Sequence, residues 1–179
     1  MAAIQLPVDH TWTLFLDRDG VLNRKIDHDY VRNWEQFEFL PGVKEALAIC
    51  AQKFGRIVIV TNQRGVGRGL MSETDLHEIH MQLMDEVEQA GGRIDAIFYC
   101  PDITDEGSTH RKPKPGMAFD AKNLFPEIDF SKSIIVGDSG SDMEFGKNLG
   151  MITVLIGDKP KPAADILLPS LIKFSETLV

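Results

Sequence analysis

Five short apolar runs alternate along this chain with stretches of helical periodicity, and this alternation limits the possible folds more than any other feature. The runs are TLFLD (13–17), IVIVTN (57–62), IFYC (97–100), SIIVGD (133–138) and ITVLIG (152–157). They are almost continuously hydrophobic, as expected for strands that are covered on both faces. Strands that alternate with helices predict the α/β class, with a doubly wound parallel sheet and helices on both of its faces.

The helical patterns lie between these runs. The clearest covers 72–90, where Ser72 and Asp75 form a capping-box signature and Gly91 follows the last periodic residue. Residues 42–54 show a similar pattern that ends before Gly55, and two weaker patterns cover 116–124 and 139–149. The segments 23–40 and 100–115 show neither period, and long loops in a compact domain are commonly functional. We expect a single domain over 1–179, with pocket loops at about 23–40 and 100–115.

Charge and cysteine content restrict the partners and the compartment. The 19 basic and 27 acidic residues give a formal net charge of -8, which opposes binding to nucleic acid and to anionic membranes. Cys50 and Cys100 form no disulfide framework and favour a reducing compartment. No signal-peptide pattern or apolar run of about 20 residues is visible. We predict a cytoplasmic monomer that binds neither nucleic acid nor membrane.

Polar side chains follow four of the predicted strands, namely Asp17, Thr61 with Asn62, Cys100, and Asp138. Doubly wound sheets bind ligands at the carboxyl ends of their strands. Any one of these residues alone is explained by the turn that follows a strand. Their coincidence at four strand ends favours a shared site.

The pair Asp17 and Asp19 places two carboxylates on about the same side of the first strand end. Like charges this close raise one another's pKa or require a cation, and Mg²⁺ binds one or two carboxylates together with phosphate oxygens. One carboxylate could then attack phosphorus while the other transfers a proton. Asp138 supplies a further carboxylate, and Asp142 lies one helical turn beyond it. An isolated Asp-x-Asp is also compatible with a turn or a simple metal site.

Phosphoryl transfer also requires hydrogen-bond donors and fixed positive charge around the phosphoryl oxygens. Thr61, Asn62 and Gln63 offer such donors at the end of the second strand. The segment HRKPKPGM (110–117) places three basic side chains beside two prolines, which restrict its backbone. The glycine-rich RGVGRG (64–69) adds two arginines but lacks the Gly-Lys-Ser/Thr of a P-loop.

Taken in order, DRDGVLN, VTNQRGVGRG, RKPKPGM and VGDSGSDM resemble the four motifs of the haloacid dehalogenase (HAD) superfamily of aspartate-nucleophile phosphatases. Within it, the chain resembles the branch of heptose 1,7-bisphosphate phosphatases and histidinol-phosphatases, with further similarity at DHDYV (27–31) and FEFLPGV (37–43). The resemblance implies a Mg²⁺-dependent phosphomonoesterase without a large cap domain. Its substrate would be a small phosphorylated metabolite, with heptose 1,7-bisphosphate favoured over histidinol phosphate or another small sugar phosphate.

By position, the resemblance implies that Asp17 is the nucleophile, that Asp19 is the general acid and then the base, and that Thr61 and Lys112 hold the phosphoryl group. Mg²⁺ would be bound by Asp17, by the backbone carbonyl of Asp19 and by Asp138. The implied substrate-binding residues are Asp27, His28, Asp29, Tyr30, Asn62, Gln63, Arg64 and Arg111.

The chain departs from the family pattern at a zinc loop, where Cys100, Asp102, Ser108 and His110 occupy the aligned positions. One thiolate, a carboxylate, a hydroxyl and an imidazole make a poor zinc site compared with three cysteines and a histidine. We therefore expect a shorter loop without zinc, in which Cys100 is a small buried apolar residue.

Two non-enzymatic alternatives remain. A receiver-like signalling domain also accepts a phosphoryl group at a strand end, but it does not need the proton-transfer residue that Asp19 offers. An inactive HAD scaffold that only binds phosphosugars would not need the complete set of Asp17, Asp19, Thr61, Lys112 and Asp138.

Overall fold

The computed structural model describes residues 4–158 and 164–179. Within them, six strands form one parallel sheet in the order β3-β2-β1-β4-β5-β6. The strands are β1 (Thr13–Leu16), β2 (Arg56–Asn62), β3 (Ala96–Cys100), β4 (Ser133–Gly137), β5 (Ile152–Ile156) and β6 (Ile166–Leu168). The predicted doubly wound α/β sheet is confirmed. Residues 1–3 and 159–163 lie outside the described residues. The prediction of one domain covers both segments, and the prediction of no signal peptide covers 1–3.

The described α-helices occupy connections between the strands, except for the last helix, which follows β6. They are α1 (Val43–Lys53), α2 (Arg64–Gly67), α3 (Glu73–Gln89), α4 (Gly116–Leu124), α5 (Gly140–Leu149) and α6 (Leu171–Ser175). The predicted capping box is present at α3, where the Asp75 amide donates to Ser72 Oγ at 3.0 Å and the Ser72 amide donates to Asp75 Oδ2 at 2.7 Å. None of the described helices is long and apolar enough to cross a membrane.

Among the described α-helices and strands, the sequence patterns do not indicate three short ones. The first part of RGVGRG is the single helical turn α2, and a side chain at Gly65 would collide with the ring of Tyr30. The other two are β6 and α6, which have 3 and 5 residues. Elements this short do not complete enough periods to be distinguished from loops.

The first strand lies between β2 and β4 and is buried on both faces. Leu14 and Leu16 pack into the cluster that contains Leu47 of α1, whereas Phe15 packs into the opposite cluster with Phe145 of α5. Because this strand is central and its neighbours are parallel to it, the residue after its carboxyl end is brought beside the ends of both neighbours. Asp17 occupies that position, and its amide donates to the Val136 carbonyl of β4 at 3.0 Å.

Candidate active site

A buried lysine joins two aspartates at the carboxyl edge of the sheet. Lys112 Nζ donates to Asp17 Oδ1 at 2.9 Å, to Asp142 Oδ1 at 2.6 Å and to the Val60 carbonyl at 2.7 Å. Lys112 is 3% exposed and comes from the 100–115 loop, so this ion pair connects three distant segments of the chain. All three ammonium hydrogens therefore have an acceptor.

Burial and charge act in opposite directions on these groups. Burial, followed by the nearby charge of Asp142, raises the pKa of Asp17 to about 7. Burial disfavours the charged form of Lys112, but the carboxylates of Asp142 and Asp17 outweigh it and raise the pKa of Lys112. The lysine therefore stays cationic, and it supplies positive charge where a phosphoryl group would meet Asp17.

The second aspartate of the pair lies in a different environment. The Asp19 carboxylate accepts hydrogen bonds from Arg18 Nη2 at 2.9 and 3.2 Å, from Asn23 Nδ2 at 2.9 Å and from Gln63 Nε2 at 2.9 Å. Burial alone would raise the pKa of Asp19, but the charge of Arg18 and these hydrogen bonds lower it. Asp19 is thus an oriented, ionised carboxylate beside Asp17. The sharp turn that follows Asp19 uses Gly20, which has φ 86° and packs against the Asp138 carboxylate.

Carboxylate oxygens of Asp17, Asp138 and Asp142 all lie within 4.8 Å of one another, so the donor set fits a hard divalent cation. Asp142 is already engaged by Lys112, and its Oδ2 also accepts from the Asp138 and Ser139 amides at 3.2 and 3.1 Å. Asp142 therefore suits support of the cation site better than direct ligation. Lys25 Nζ lies 2.6 Å from Asp138 Oδ2 and is half-exposed.

The three polar residues at the end of β2 face different ways. Thr61 is fully buried, and its Oγ1 accepts from Gln63 Nε2 at 2.9 Å. Gln63 is also buried and connects Thr61 to Asp19 behind the cavity wall. Asn62 lines the cavity and pairs with the Lys112 backbone, accepting from its amide at 3.0 Å and donating to its carbonyl at 3.3 Å. This pairing anchors the lysine loop to the sheet.

A cavity of about 550 Å³ opens in front of Asp17 and Asp19. Both predicted pocket loops contribute to its wall. The substrate-binding residues predicted from sequence that line it are Asp27, His28, Asp29, Tyr30, Asn62, Arg64 and Arg111. The cavity therefore brings together the proposed reacting carboxylates, Lys112 and seven of the eight proposed substrate-binding residues, whereas the buried Gln63 and Thr61 do not line it.

Three arginines lie on one part of this wall: Arg64 is the first residue of α2, Arg68 follows the end of α2, and Arg111 comes from the 100–115 loop. Burial and then the neighbouring charge of Arg64 lower the pKa of Arg111. Arg111 Nη1 is held by the Asp102 carbonyl at 3.0 Å. Like charges gathered in this way favour an anionic ligand between them.

Comparisons with known proteins agree with this geometry. A family model described as polynucleotide kinase 3 phosphatase matches residues 12–155. The D-glycero-alpha-D-manno-heptose-1,7-bisphosphate 7-phosphatase of Mycobacterium tuberculosis is 46% identical over 78% of this chain and 74% of that protein. A beta-anomer 7-phosphatase from Rhodopseudomonas palustris is 39% identical over 76% of this chain and 78% of its own length.

Among solved structures, the D,D-heptose 1,7-bisphosphate phosphatase of B. bronchiseptica, complexed with magnesium and phosphate, superposes with a TM-score of 0.81. It is 31% identical and covers 92% of this chain and 96% of that one. The chain belongs to the heptose-bisphosphate phosphatases of the HAD superfamily. The prediction of a phosphoric monoester hydrolase is confirmed by this membership, and the receiver-like alternative is excluded.

In this member of the heptose-bisphosphate phosphatases, the loop after β3 is organised by hydrogen bonds around Ser108. Ser108 Oγ donates to Asp102 Oδ2, accepts from the Arg111 amide at 2.9 Å and lies 3.8 Å from Cys100 Sγ. Cys100 is 1% exposed, as predicted. His110 points its ring nitrogens at Thr109 Oγ1 and Asp120 Oδ2, at 2.8 and 3.0 Å. The four positions aligned with the zinc ligands therefore do not fit a zinc ion.

Four residues of the site had not been singled out from the sequence. They are Arg18, Asn23, Lys25 and His80. Arg18 and Asn23 carried a usable signal, because both lie within the DRDGVLN motif. Lys25 lies in a loop without periodicity, and His80 lies on the predicted helix at 72–90, where a histidine is unremarkable.

Proposed function

We propose that this protein removes the 7-phosphate of D-glycero-D-manno-heptose 1,7-bisphosphate through an aspartyl-phosphate on Asp17. One observation carries the proposal: the cavity in front of the Lys112-bound Asp17 also holds the cluster of Arg64, Arg68 and Arg111. A substrate with one phosphate to lose and a second to retain suits such a cavity. The relatives named as 7-phosphatases support the same substrate.

Asp17 would attack phosphorus with one carboxylate oxygen while Lys112 fixes the other. Mg²⁺, held by Asp17, the Asp19 carbonyl and Asp138, would offset the negative charge of the phosphoryl oxygens. Lys112 adds a fixed cation within hydrogen-bond distance of the nucleophile, and Asn62 holds the backbone of that lysine. Thr61 is fully buried at the end of β2, where its hydroxyl would hold Gln63, which also donates to the Asp19 carboxylate.

Asp19 would protonate the leaving oxygen and later deprotonate the water that hydrolyses the aspartyl-phosphate. Its low pKa in the free protein suits the second role directly. For the first role the carboxylate must take up a proton. An arriving phosphate raises the pKa of Asp19 through like-charge repulsion, which makes that protonation easier when substrate is bound.

The arginine cluster favours the bisphosphate over the alternative substrate, histidinol phosphate. Histidinol carries an amine and an imidazole, so its leaving portion is cationic, and Arg64, Arg68 and Arg111 would repel it. The phosphate retained by a heptose bisphosphate would pair with the same guanidinium groups. Asp27 and Tyr30, on the facing loop, would contact the sugar hydroxyls.

A substrate panel tests the proposal. It compares kcat/KM for both anomers of heptose 1,7-bisphosphate, for heptose 7-phosphate and for histidinol phosphate. We expect a bisphosphate to be the best substrate, and we expect Arg64→Gln to raise its KM by about tenfold or more, as loss of a charged hydrogen-bonding group does. The KM for heptose 7-phosphate, which lacks the second phosphate, should change little. A dominant rate on histidinol phosphate would refute the substrate assignment.

The variant Lys114→Gln is a matched control, because Lys114 is a basic residue of the same loop as Arg111 but is not among the residues that line the cavity. Its KM for the bisphosphate should equal that of the wild type. Equal increases in Lys114→Gln and Arg64→Gln would show that the general loss of positive charge, and not contact with the second phosphate, determines affinity. The cytoplasmic location and the monomeric state stay predictions.

A further inference from the structure

A fully buried arginine and a buried histidine lie directly behind Asp19. Arg18 is 0% exposed and His80 is 6% exposed, and Arg18 Nη1 lies 3.1 Å from His80 Nε2. The other end of the guanidinium, Nη2, makes both hydrogen bonds to the Asp19 carboxylate. The three side chains therefore form a continuous row from α3 to the edge of the cavity.

The protonation of this row follows from its chemistry. A guanidinium group has only donors, so His80 Nε2 must be the acceptor and the ring must be neutral. Burial and the charge of Arg18 act in the same direction by lowering the pKa of His80 to about 3. If His80 Nε2 offered no lone pair, Arg18 Nη1 would be buried without this acceptor, which is strongly unfavourable.

His80 is also the contact that fixes the direction of the guanidinium plane. Arg18 Nε is buried and has no hydrogen-bond partner among the described residues, so the group is held at Nη1 and Nη2. Loss of the Nη1 contact would leave the guanidinium, among the described residues, with hydrogen bonds to Asp19 alone and without a second polar contact to orient it. Asp19 itself is held on its other side by Asn23 and Gln63.

We propose that His80 is a positioning residue for proton transfer, which orients the Arg18 guanidinium so that it fixes the Asp19 carboxylate at the cavity. This inference rests on the role of Asp19 in the proposed function. Its consequence is specific, because a misplaced Asp19 slows departure of a leaving group that needs a proton and has little effect on one that does not. A general loss of structure would slow both.

The test uses phenyl phosphate and p-nitrophenyl phosphate, which are similar in shape but differ in how much their leaving groups need protonation. We expect His80→Leu to lower kcat/KM, which reports only the steps up to departure of the leaving group, by about tenfold on phenyl phosphate and by less than about threefold on p-nitrophenyl phosphate. His80→Gln, which keeps an acceptor, should restore most of the phenyl phosphate rate. Leu83→Val, on the same buried face of α3, is the control for packing loss and should affect both esters equally.

The proposal would be overturned if His80→Leu lost activity equally on the two esters. It would also be overturned if His80→Gln had wild-type stability but hydrolysed phenyl phosphate no faster than His80→Leu. If His80→Leu does not fold, His80→Gln is compared with the wild type directly, and a selective loss above about tenfold on phenyl phosphate would overturn it as well, because the acceptor is retained. A wild-type protein that hydrolyses neither these esters nor heptose 1,7-bisphosphate would instead refute the proposed function.

Discussion

The substitution Lys112→Met tests how strongly the buried ion pair supports the fold. Lys112 Nζ contacts Asp17 at 2.9 Å and Asp142 at 2.6 Å, and its side chain is almost inaccessible to water. Removing it leaves two carboxylates close together without their shared cation. Breaking a buried charge pair in this way lowers the free energy of unfolding by about 3–5 kcal/mol. Because the free energy of unfolding of a small protein falls by about 2 kcal/mol per molar urea, the urea midpoint of unfolding should fall by about 2 M.

The pH dependence of this loss has a definite sign. The pKa of Asp17 is raised from 3.8 to about 7, so its protonated form stabilises the native state fully below pH 3.8, and this stabilisation is lost as the pH rises through 7. Lys112 is the neighbour that lowers this pKa. Without it the pKa of Asp17 rises further, and the variant continues to lose stability at pH values where the wild type no longer does. The difference in the free energy of unfolding between the wild type and Lys112→Met should therefore widen from pH 6 to pH 8.

Urea unfolding followed by circular dichroism, in EDTA so that no divalent cation compensates, measures both effects. Lys25→Met is the matched control, because Lys25 also pairs with a carboxylate of the site at 2.6 Å but its side chain is 55% exposed. An exposed pair of this kind contributes at most about 1 kcal/mol. Equal midpoint shifts in the two variants, or a difference from the wild type that narrows as the pH rises, would contradict the reasoning.

Three further outcomes are expected. Asp17→Asn should abolish turnover and leave the circular dichroism spectrum unchanged, and near-normal activity would exclude an aspartyl-phosphate at this position. Asp19→Asn should slow turnover by about 10²–10⁴, measured as kcat, if this residue transfers the proton. His80 has a pKa lowered from 6.5 to about 3, so its contribution to stability is present above pH 6.5 and declines as the pH falls towards 3. At pH 5 the decline is about 2 kcal/mol, and His80→Leu should remove this part of the acid sensitivity in urea titrations.

The fold could be predicted because its strongest determinants are local. The strands β1, β2, β4 and β5 are continuous apolar runs, and α3 carries a complete capping box, so each is specified by neighbouring residues. The elements α2, β6 and α6 were missed because each is too short to show a period. Their existence depends on contacts with distant residues, such as that of Gly65 with Tyr30.

The local sequence is enough to establish which side chains end the strands, and the topology of a parallel sheet then requires Asp17 and Asp138 to meet at one edge. It did not determine how the two aspartates of DRDG differ. Asp17 is paired with Lys112 and has a raised pKa, whereas Asp19 is held by Arg18, Asn23 and Gln63 and has a lowered one. Burial and charge at each carboxylate depend on residues far along the chain, so only the tertiary structure assigns the two groups their opposite electrostatic environments.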